Sequence, residues 1–110
     1  MVDFKECDRE NLIKKISEFK KTASSKEKIE KLVFFGSRAS GKPNKWSDVD
    51  LIVVSRAFEK EKCGRGAWLR KFWDLDYPVD FVCYTPEEFK HLEKRISIVS
   101  HALKNGIVIA

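Results

Sequence analysis

The sequence predicts an α/β fold: one domain over residues 1–110, with a small mixed β-sheet of three to five strands flanked by helices. Three observations support this fold class. A chain of 110 residues can bury one core but is too short for two full domains. Short apolar segments bounded by turn residues alternate with longer segments of helical periodicity. The chain has no internal repeat and no Pro- or Gly-rich linker, so one packed domain accounts for all of it.

The first predicted element is an amphipathic helix from Asp8 to Lys21. Apolar residues recur there at helical spacing with lysines on the opposite face, and Asp8 is the predicted N-cap. The polar segment 22–31 is either a loop or a further helical turn. Leu32–Phe35 is uninterrupted apolar sequence that stops at Gly36, which is typical of a strand covered on both faces that runs into a tight turn.

Two more central strands and a helix are predicted in the middle of the chain. Val49–Val54 is apolar on both faces, so a strand is expected to start at or near Asp48. Pro78–Tyr84 repeats the pattern, with the proline at the strand entrance, where no ladder hydrogen bond is lost. Apolar residues at helical spacing predict a helix from about Arg65 to Asp74 between these strands.

The C-terminal part of the chain carries two helix signals and one strand signal. Thr85-Pro86-Glu87-Glu88 has the sequence of a capping box with proline in the first turn, and predicts a helix start. A short helix over Ser97–Lys104 is expected to end at Asn105-Gly106. Ile107–Ile109 is expected to add a last strand.

Composition restricts the class of protein. The 22 basic and 17 acidic residues leave a net charge of +5, which suits polyphosphates, nucleic acid or an acidic partner protein. No apolar run approaches the roughly 20 residues of a membrane span, and no secretory signal is recognisable at the start. We therefore expect a cytoplasmic protein without membrane association. Cys7, Cys63 and Cys83 contain no CxxC pair, so neither a disulfide framework nor a zinc ribbon is indicated.

Three aspartates stand near the predicted starts of two strands. Asp48 and Asp50 project to the same side of their strand, with about 6–7 Å between their Cα atoms. If the strand that carries Asp80 lies beside them, three carboxylates converge and repel one another. A divalent cation would relieve that repulsion, and oxygen-only ligands favour Mg²⁺ or Mn²⁺ over zinc. The sequence therefore predicts a metal site formed by these aspartates.

The turn after the first strand is a candidate phosphate-binding segment. Gly36 permits close approach of the backbone, and Ser37 offers both an N–H and a hydroxyl. A short helix starting near Arg38 would add its positive end. Arg38, Lys42 and Lys45 add positive charge nearby, and Arg38 and Lys42 join Gly36 and Ser37 as candidate nucleotide-binding residues. A phosphate-binding turn facing an acidic trio indicates a nucleoside triphosphate bridged to the protein through metal.

These residues resemble a known family. Gly36-Ser37, ten intervening residues and then Asp48-Val49-Asp50, with Asp80 on a later strand, are similar to the nucleotidyltransferase superfamily that includes DNA polymerase β and kanamycin nucleotidyltransferase. The small size is similar to its minimal nucleotidyltransferase branch, of which many members act as antitoxins beside HEPN-domain toxins. The resemblance covers nearly the whole chain, and the combined pattern is more specific than a DxD pair alone.

The resemblance implies a role for each matching residue. Gly36 and Ser37 would hold the β- and γ-phosphates of ATP, and Asp48 and Asp50 would ligate two Mg²⁺ ions. Asp80 would complete the catalytic metal site and help to deprotonate the acceptor hydroxyl. The implied reaction is in-line transfer of AMP to a tyrosine of a HEPN-domain partner, with release of pyrophosphate.

Simpler interpretations remain open for the individual residues. Asp48 and Asp50 can be the polar entrance of a strand, and Ser37 a plain turn residue. Asp80 can pair with Arg70 or Lys71 instead of binding metal. Core packing is expected for Trp68 and Phe72, whereas Trp46 lies in the polar loop and can face a base or a partner. His91 and His101 are given no role, and residues 96–110 with Phe4 and the first helix are a candidate partner-binding face.

Two other functions compete with the enzyme hypothesis. A non-catalytic binding module would neutralise a toxin only by covering it. A basic RNA-binding α/β domain would need an aromatic and basic sheet surface. The strands here are instead apolar with flanking acids, so direct nucleic-acid binding is not expected.

Overall fold

The computed structural model describes residues 4–40, 48–61, 63–75 and 77–109. These residues form a four-stranded sheet, four α-helices and two 3₁₀ helices. The strands are β1 (Lys31–Phe35), β2 (Val49–Val54), β3 (Val79–Tyr84) and β4 (Ile107–Ile109). The α-helices are α1 (Phe4–Ser24), α2 (Ser37–Ser40), α3 (Pro86–Leu92) and α4 (Ile98–Asn105). The 3₁₀ helices are Arg56–Lys60 and Ala67–Phe72.

The sheet is mixed, with strand order β3-β2-β1-β4. β1 runs antiparallel to both β2 and β4, whereas β2 and β3 are parallel. The first backbone group of β2 is tied to the segment before β3, because the Val49 amide donates to the Pro78 carbonyl at 2.8 Å. The predicted fold class, a small mixed sheet flanked by helices, is confirmed.

Each face of the sheet is covered by its own hydrophobic cluster. On one face, residues such as Leu32, Phe34, Leu51 and Val53 pack with α1 and the two 3₁₀ helices. On the other face, Val33, Ile52 and Val54 pack with α3 and α4. Because both faces are covered, the central strands read as continuous apolar sequence, as predicted. None of the helices in the described ranges is long and apolar enough to cross a membrane.

The first helix is longer than predicted, and the predicted position of its N-terminus is wrong. α1 begins at Phe4, so Asp8 lies inside the helix and is not its N-cap. No glycine or proline precedes Asp8 to stop the helix there. At the other end the helix continues to Ser24, so the segment 22–31 is divided between a further helical turn and a loop. Leu12, Ile16 and Phe19 are buried, as their spacing indicates.

The predicted helix from Arg65 to Asp74 is a shorter 3₁₀ helix, Ala67–Phe72. Its start is set by Gly66, which has φ +77°, a left-handed conformation that favours glycine. Local bonds to Glu61 also hold the segment, because the Gly66 amide and the Trp68 indole N–H both donate to the Glu61 carboxylate. Short 3₁₀ runs of this kind are common connectors, and apolar spacing alone does not distinguish them from α-helices.

The C-terminal signals are confirmed. Thr85 Oγ1 accepts from the Glu88 amide at 3.2 Å, and Glu88 Oε1 accepts from the Thr85 amide at 2.8 Å, so the capping box is formed in full. Ser97 caps α4, which ends with Gly106 as its C-cap. β4 then pairs with β1.

Candidate active site

The three predicted aspartates lie together at one edge of the sheet, which we call the acidic edge (Asp48, Asp50 and Asp80). Asp50 and Asp80 are direct partners in the parallel β2–β3 pair, and Asp48 immediately precedes β2. Paired strands lie about 4.8 Å apart. The sheet therefore makes the backbones of Asp50 and Asp80 neighbours. The sequence predicts this proximity only on the condition that the two strands are adjacent.

The alternation of side chains places the acidic edge on one face of the sheet. Val49 and Leu51 belong to the cluster beneath α1, whereas Ile52 belongs to the cluster beneath α3 and α4. Asp50 therefore lies on the α3–α4 face. Asp50 is half-buried, and Asp80 is exposed. One carboxylate is thus partly withdrawn from water while its neighbour is open to a large substrate.

The carboxylates at this edge interact electrostatically. Partial burial raises the pKa of Asp50, and the charges of Asp80 and Asp48 raise that pKa further. Within the described residues, no three ligating side chains converge on one metal position as the side chains stand. The structure therefore brings the three aspartates into one electrostatic group, and a shared ion would require their side chains to reorient.

The turn after β1 lies directly against Asp50. Because β1 is antiparallel to β2, Phe35 pairs with Asp50, and Gly36 follows at the same edge. Gly36 has φ +86°. A Cβ at this position would overlap a carboxylate oxygen of Asp50 and lie 3.1 Å from its Cγ. Only glycine allows the turn to approach the carboxylate this closely, and the backbone enters α2 at the next residue, Ser37.

Arg38 lies on an aromatic ring that the sequence analysis did not single out. Its guanidinium carbon is 4.6 Å from the centroid of the Tyr77 ring. Tyr77 precedes Pro78 at the entrance of β3, and its carbonyl accepts from the Trp73 indole N–H at 2.8 Å. The sequence offers one signal for Tyr77, which is an aromatic residue just before the proline at a strand entrance. Sequence spacing does not show that this residue contacts α2.

The structure describes only some of the other residues that the sequence analysis named at the site. Arg70 and Lys71 were the alternative partners of Asp80, and in the described ranges neither forms an ion pair with it; the Arg70 guanidinium lies 5.8 Å from the Phe81 ring instead. Lys42 lies in segment 41–47, outside the residues that the structure describes, as do Lys45 and Trp46.

Some concavities lined by described residues lie away from the acidic edge. One of about 360 Å³ is lined by residues of α1, by the end of the second 3₁₀ helix and by the segment after that helix, including Phe19, Phe72 and Asp74. Another of about 440 Å³ is lined by Lys26, Arg56, Trp68 and neighbouring residues. The coupled carboxylates make the acidic edge the better candidate, because chemistry depends on which groups converge rather than on volume.

Comparison with known proteins bears on the family and the fold of the chain. The sequence matches the family model of the nucleotidyltransferase domain over residues 16–105. A comparison with curated proteins finds no significant match. The fold is similar to the crystal structure of a candidate nucleotidyltransferase from Sulfolobus solfataricus, with a TM-score of 0.66 and 17% sequence identity, covering 98% of this chain and 87% of that chain. At that identity the structural match shows the fold, and the family model shows the family: the chain belongs to the nucleotidyltransferase domain family.

Proposed function

We propose that this protein transfers AMP from ATP to a protein hydroxyl, a tyrosine of a HEPN-domain toxin, in a Mg²⁺-dependent reaction, and so acts as an antitoxin. Membership of the family supports nucleotidyl transfer in general. One observation supports the acidic edge as the place of the reaction: Asp50 lies between Asp80 on the next strand and the Gly36 turn on the other side. A carboxylate pair facing a backbone turn is the arrangement that metal-bridged triphosphate binding needs.

The residues of the acidic edge fit Mg²⁺. Their donors are carboxylate oxygens, which hard divalent cations prefer. Burial and the charges of Asp80 and Asp48 raise the pKa of Asp50 and so oppose its ionised form. A cation bound beside Asp50 would favour that ionised form. Asp48 and Asp50 would hold two ions, with Asp80 completing one of the sites. When bound, Mg²⁺ or Mn²⁺ polarises the α-phosphate and neutralises charge on the leaving group.

The protein groups then have separate tasks. The backbone at Gly36 and Ser37, with the Arg38 side chain, binds the β- and γ-phosphates. Lys42 adds positive charge to the same phosphates. Asp80 accepts the proton of the acceptor hydroxyl, whose oxygen forms a bond to the α-phosphorus. The bond from that phosphorus to the bridging oxygen breaks, and pyrophosphate leaves. Asp80 suits this task because it is exposed and can be reached by a side chain on another protein.

The test is transfer of label from α-labelled ATP to a purified HEPN partner in Mg²⁺. We expect label on a partner tyrosine, its loss in EDTA, and its loss by at least about 100-fold in Asp50→Asn. Asp74→Asn is the matched control, since Asp74 is an exposed aspartate outside the acidic edge, and it should keep full transfer. No labelling at saturating Mg²⁺ and ATP would refute the catalytic proposal.

A non-catalytic antitoxin is the second candidate. The observation in its favour is a set of exposed apolar residues in the C-terminal region, Ile96, Ile98 and Val108, in the part of the chain predicted to meet a partner. The Asp48→Asn/Asp50→Asn double variant separates the two functions. If the double variant protects cells from the toxin as well as the unmodified protein does, covering is sufficient and catalysis is not the antitoxin mechanism.

A further inference from the structure

We propose that Tyr77 is a positioning residue that holds the Arg38 guanidinium where it binds the polyphosphate of ATP. This inference rests on the function proposed above and adds a residue to its nucleotide site. It joins two segments that are distant in sequence: α2, which follows the Gly36 turn, and the residues that lead into β3.

The contact is a cation–π stack. The Arg38 guanidinium carbon lies 4.6 Å from the Tyr77 ring centroid, within the range of about 6 Å over which such stacks are attractive. Arg38 is half-buried, as is Tyr77, so the contact is partly removed from water. A stack of this kind strengthens as the pair is desolvated.

Tyr77 is itself anchored to the core. Its carbonyl accepts from the Trp73 indole N–H at 2.8 Å. The Trp73 ring packs edge-on against Phe19, at 5.2 Å between centroids, and against Phe81, at 6.0 Å. Pro78 follows and narrows the backbone conformations open to Tyr77. The Tyr77 side chain also packs against the hydrophobic cluster beneath α1, so the ring belongs to a fixed platform rather than to an independent loop.

The stack is compatible with phosphate binding by the same guanidinium. The guanidinium has five N–H donors, so contact with a single ring leaves donors available for bidentate hydrogen bonding to phosphate. A side chain that is already ordered loses less conformational entropy when it binds a ligand. Arg38 lies two residues after Gly36, and Tyr77 lies two residues before the start of β3, at the same edge of the sheet. The contact therefore lies at the edge that carries the turn proposed to bind the β- and γ-phosphates.

The experiment measures affinity for Mg²⁺-ATP and for inorganic tripolyphosphate by calorimetry, in the full chain. Tyr77→Leu should raise both dissociation constants about 3- to 10-fold, as loss of one cation–π contact implies. Tyr77→Phe keeps the ring and should bind both ligands as tightly as the unmodified protein does. Tyr77→Leu should have no further effect in an Arg38→Ala background, because the two residues act through one contact. Tyr84→Leu is the matched control, since Tyr84 is the other tyrosine and belongs to the opposite cluster.

If Tyr77→Leu fails to fold, fluorinated phenylalanines at position 77 provide a second test of the same contact. Each added fluorine weakens the negative face of the ring at nearly constant shape, so affinity should fall stepwise with fluorination. Affinity that is unchanged in Tyr77→Leu or across the fluorinated series, or an equal loss in Tyr77→Phe or Tyr84→Leu, overturns the positioning role alone. Failure of the unmodified protein to bind either ligand overturns the proposed function together with it.

Discussion

Asp50 is a half-buried carboxylate whose ionised form is opposed by its surroundings. Burial raises its pKa first, and the charges of Asp80 and Asp48 add to the effect. A carboxyl whose pKa is higher in the folded than in the unfolded state stabilises the fold below its unfolded pKa. That contribution is lost as the pH rises through the folded pKa. Near neutral pH the metal-free protein therefore carries strain at this residue.

The Asp50→Asn variant should consequently be more stable than the unmodified protein without metal at pH 7. Removing one of three repelling charges at a partly exposed edge is expected to add about 0.5 kcal/mol, or about 2–4 °C in melting temperature for a chain of this size. The difference should shrink as the pH falls and Asp50 becomes protonated. Thermal unfolding in EDTA across pH 4–8 measures it.

Magnesium supplies the matching control for this prediction. Adding Mg²⁺ should raise the melting temperature of the unmodified protein, because binding to the native state stabilises it, and should have a much smaller effect on Asp50→Asn. Asp74→Asn should behave as the unmodified protein does. An Asp50→Asn variant that is less stable in EDTA at pH 7 would show that this carboxylate makes a stabilising contact instead.

Cys83 is the opposite case, because its surroundings lower the reactivity of its thiol. Burial and the nearby Glu61 charge raise the pKa of its thiol to about 11, against a lowering effect of Arg65. We expect Cys83 to resist thiol reagents at pH 8 in the folded protein, since the thiolate is the reactive form. In a Cys7→Ser/Cys63→Ser background, labelling should occur only after denaturation. Rapid labelling of the native variant would contradict the burial of this thiol.

At the scale of elements, the segment that leads into the second 3₁₀ helix depends on two glycines with positive φ. Gly64 has φ +62° with open space around it, whereas a Cβ at Gly66, φ +77°, would overlap the Cys83 sulfur and lie 3.2 Å from Leu69 Cδ1. Gly64→Ala should lower the free energy of unfolding by about 1–2 kcal/mol, because alanine is strained in this backbone conformation. Gly66→Ala should cost about 1–3 kcal/mol more, from overpacking.

Urea unfolding of these two alanine variants provides the comparison. Because both positions share the left-handed backbone, the difference between them isolates the contacts with Cys83 of β3 and Leu69 of the second 3₁₀ helix. Cys83→Ala in the Gly66→Ala background should recover part of the loss, since the two changes are coupled through one contact. Equal destabilisation by Gly64→Ala and Gly66→Ala would show that the backbone conformation alone matters here.

The capping box of α3 gives a prediction with a defined pH dependence. Glu88 accepts from the Thr85 amide, and this bond lowers its pKa below the ordinary value of 4.5, with Arg65 at 2.6 Å adding to the lowering. A lowered pKa stabilises the fold above the unfolded pKa and ceases to do so as the pH falls through the folded one. Glu88→Gln should therefore lower the free energy of unfolding by about 0.5–1 kcal/mol at pH 7, and by progressively less as the pH falls through the folded pKa.

Glu87→Gln is the control for this helix start, since Glu87 is an exposed glutamate in the same turn. Chemical denaturation at several pH values compares the two variants. A stability difference for Glu88→Gln that stays constant from pH 7 to pH 3 would mean that the charge of this residue has no part in the cap.

Elements with strong local signals were predictable from sequence, and elements set by tertiary contacts were not. The strands at Val49–Val54 and Ile107–Ile109 and the capping box at Thr85 follow from local pattern and are confirmed. The 3₁₀ helix Arg56–Lys60 was missed. It begins where Ser55 Oγ accepts from the Ala57 amide and donates to the Lys28 carbonyl, and the partner 27 residues away is invisible to local spacing.

At the scale of the whole molecule, sheet order decides which predicted residues meet. The sequence places aspartates near two strand starts but does not reveal that β2 and β3 are adjacent and parallel, with Asp50 opposite Asp80. The antiparallel β1 then returns Gly36 to the same edge. Tyr77 was not found for the same reason, because its contact with Arg38 depends on how β3 and α2 are brought together. Residue types indicated the chemistry, and topology supplied the geometry.

The separation of site from core predicts that stability and binding respond to different residues. Val99 is fully buried in α4, in the cluster beneath that helix and α3, whereas the aspartates lie at the edge of the sheet. Val99→Ala should lower the free energy of unfolding by about 2 kcal/mol and leave Mg²⁺-ATP affinity unchanged at temperatures where the variant is folded. Asp50→Asn should do the reverse, with higher metal-free stability and lost Mg²⁺-ATP binding, because a binding site concentrates repulsive charge that its ligand neutralises. Denaturation and calorimetry on both variants test this directly. Parallel loss of stability and binding in Asp50→Asn would mean that the acidic edge is part of the folding core and not a site held under electrostatic strain for a ligand.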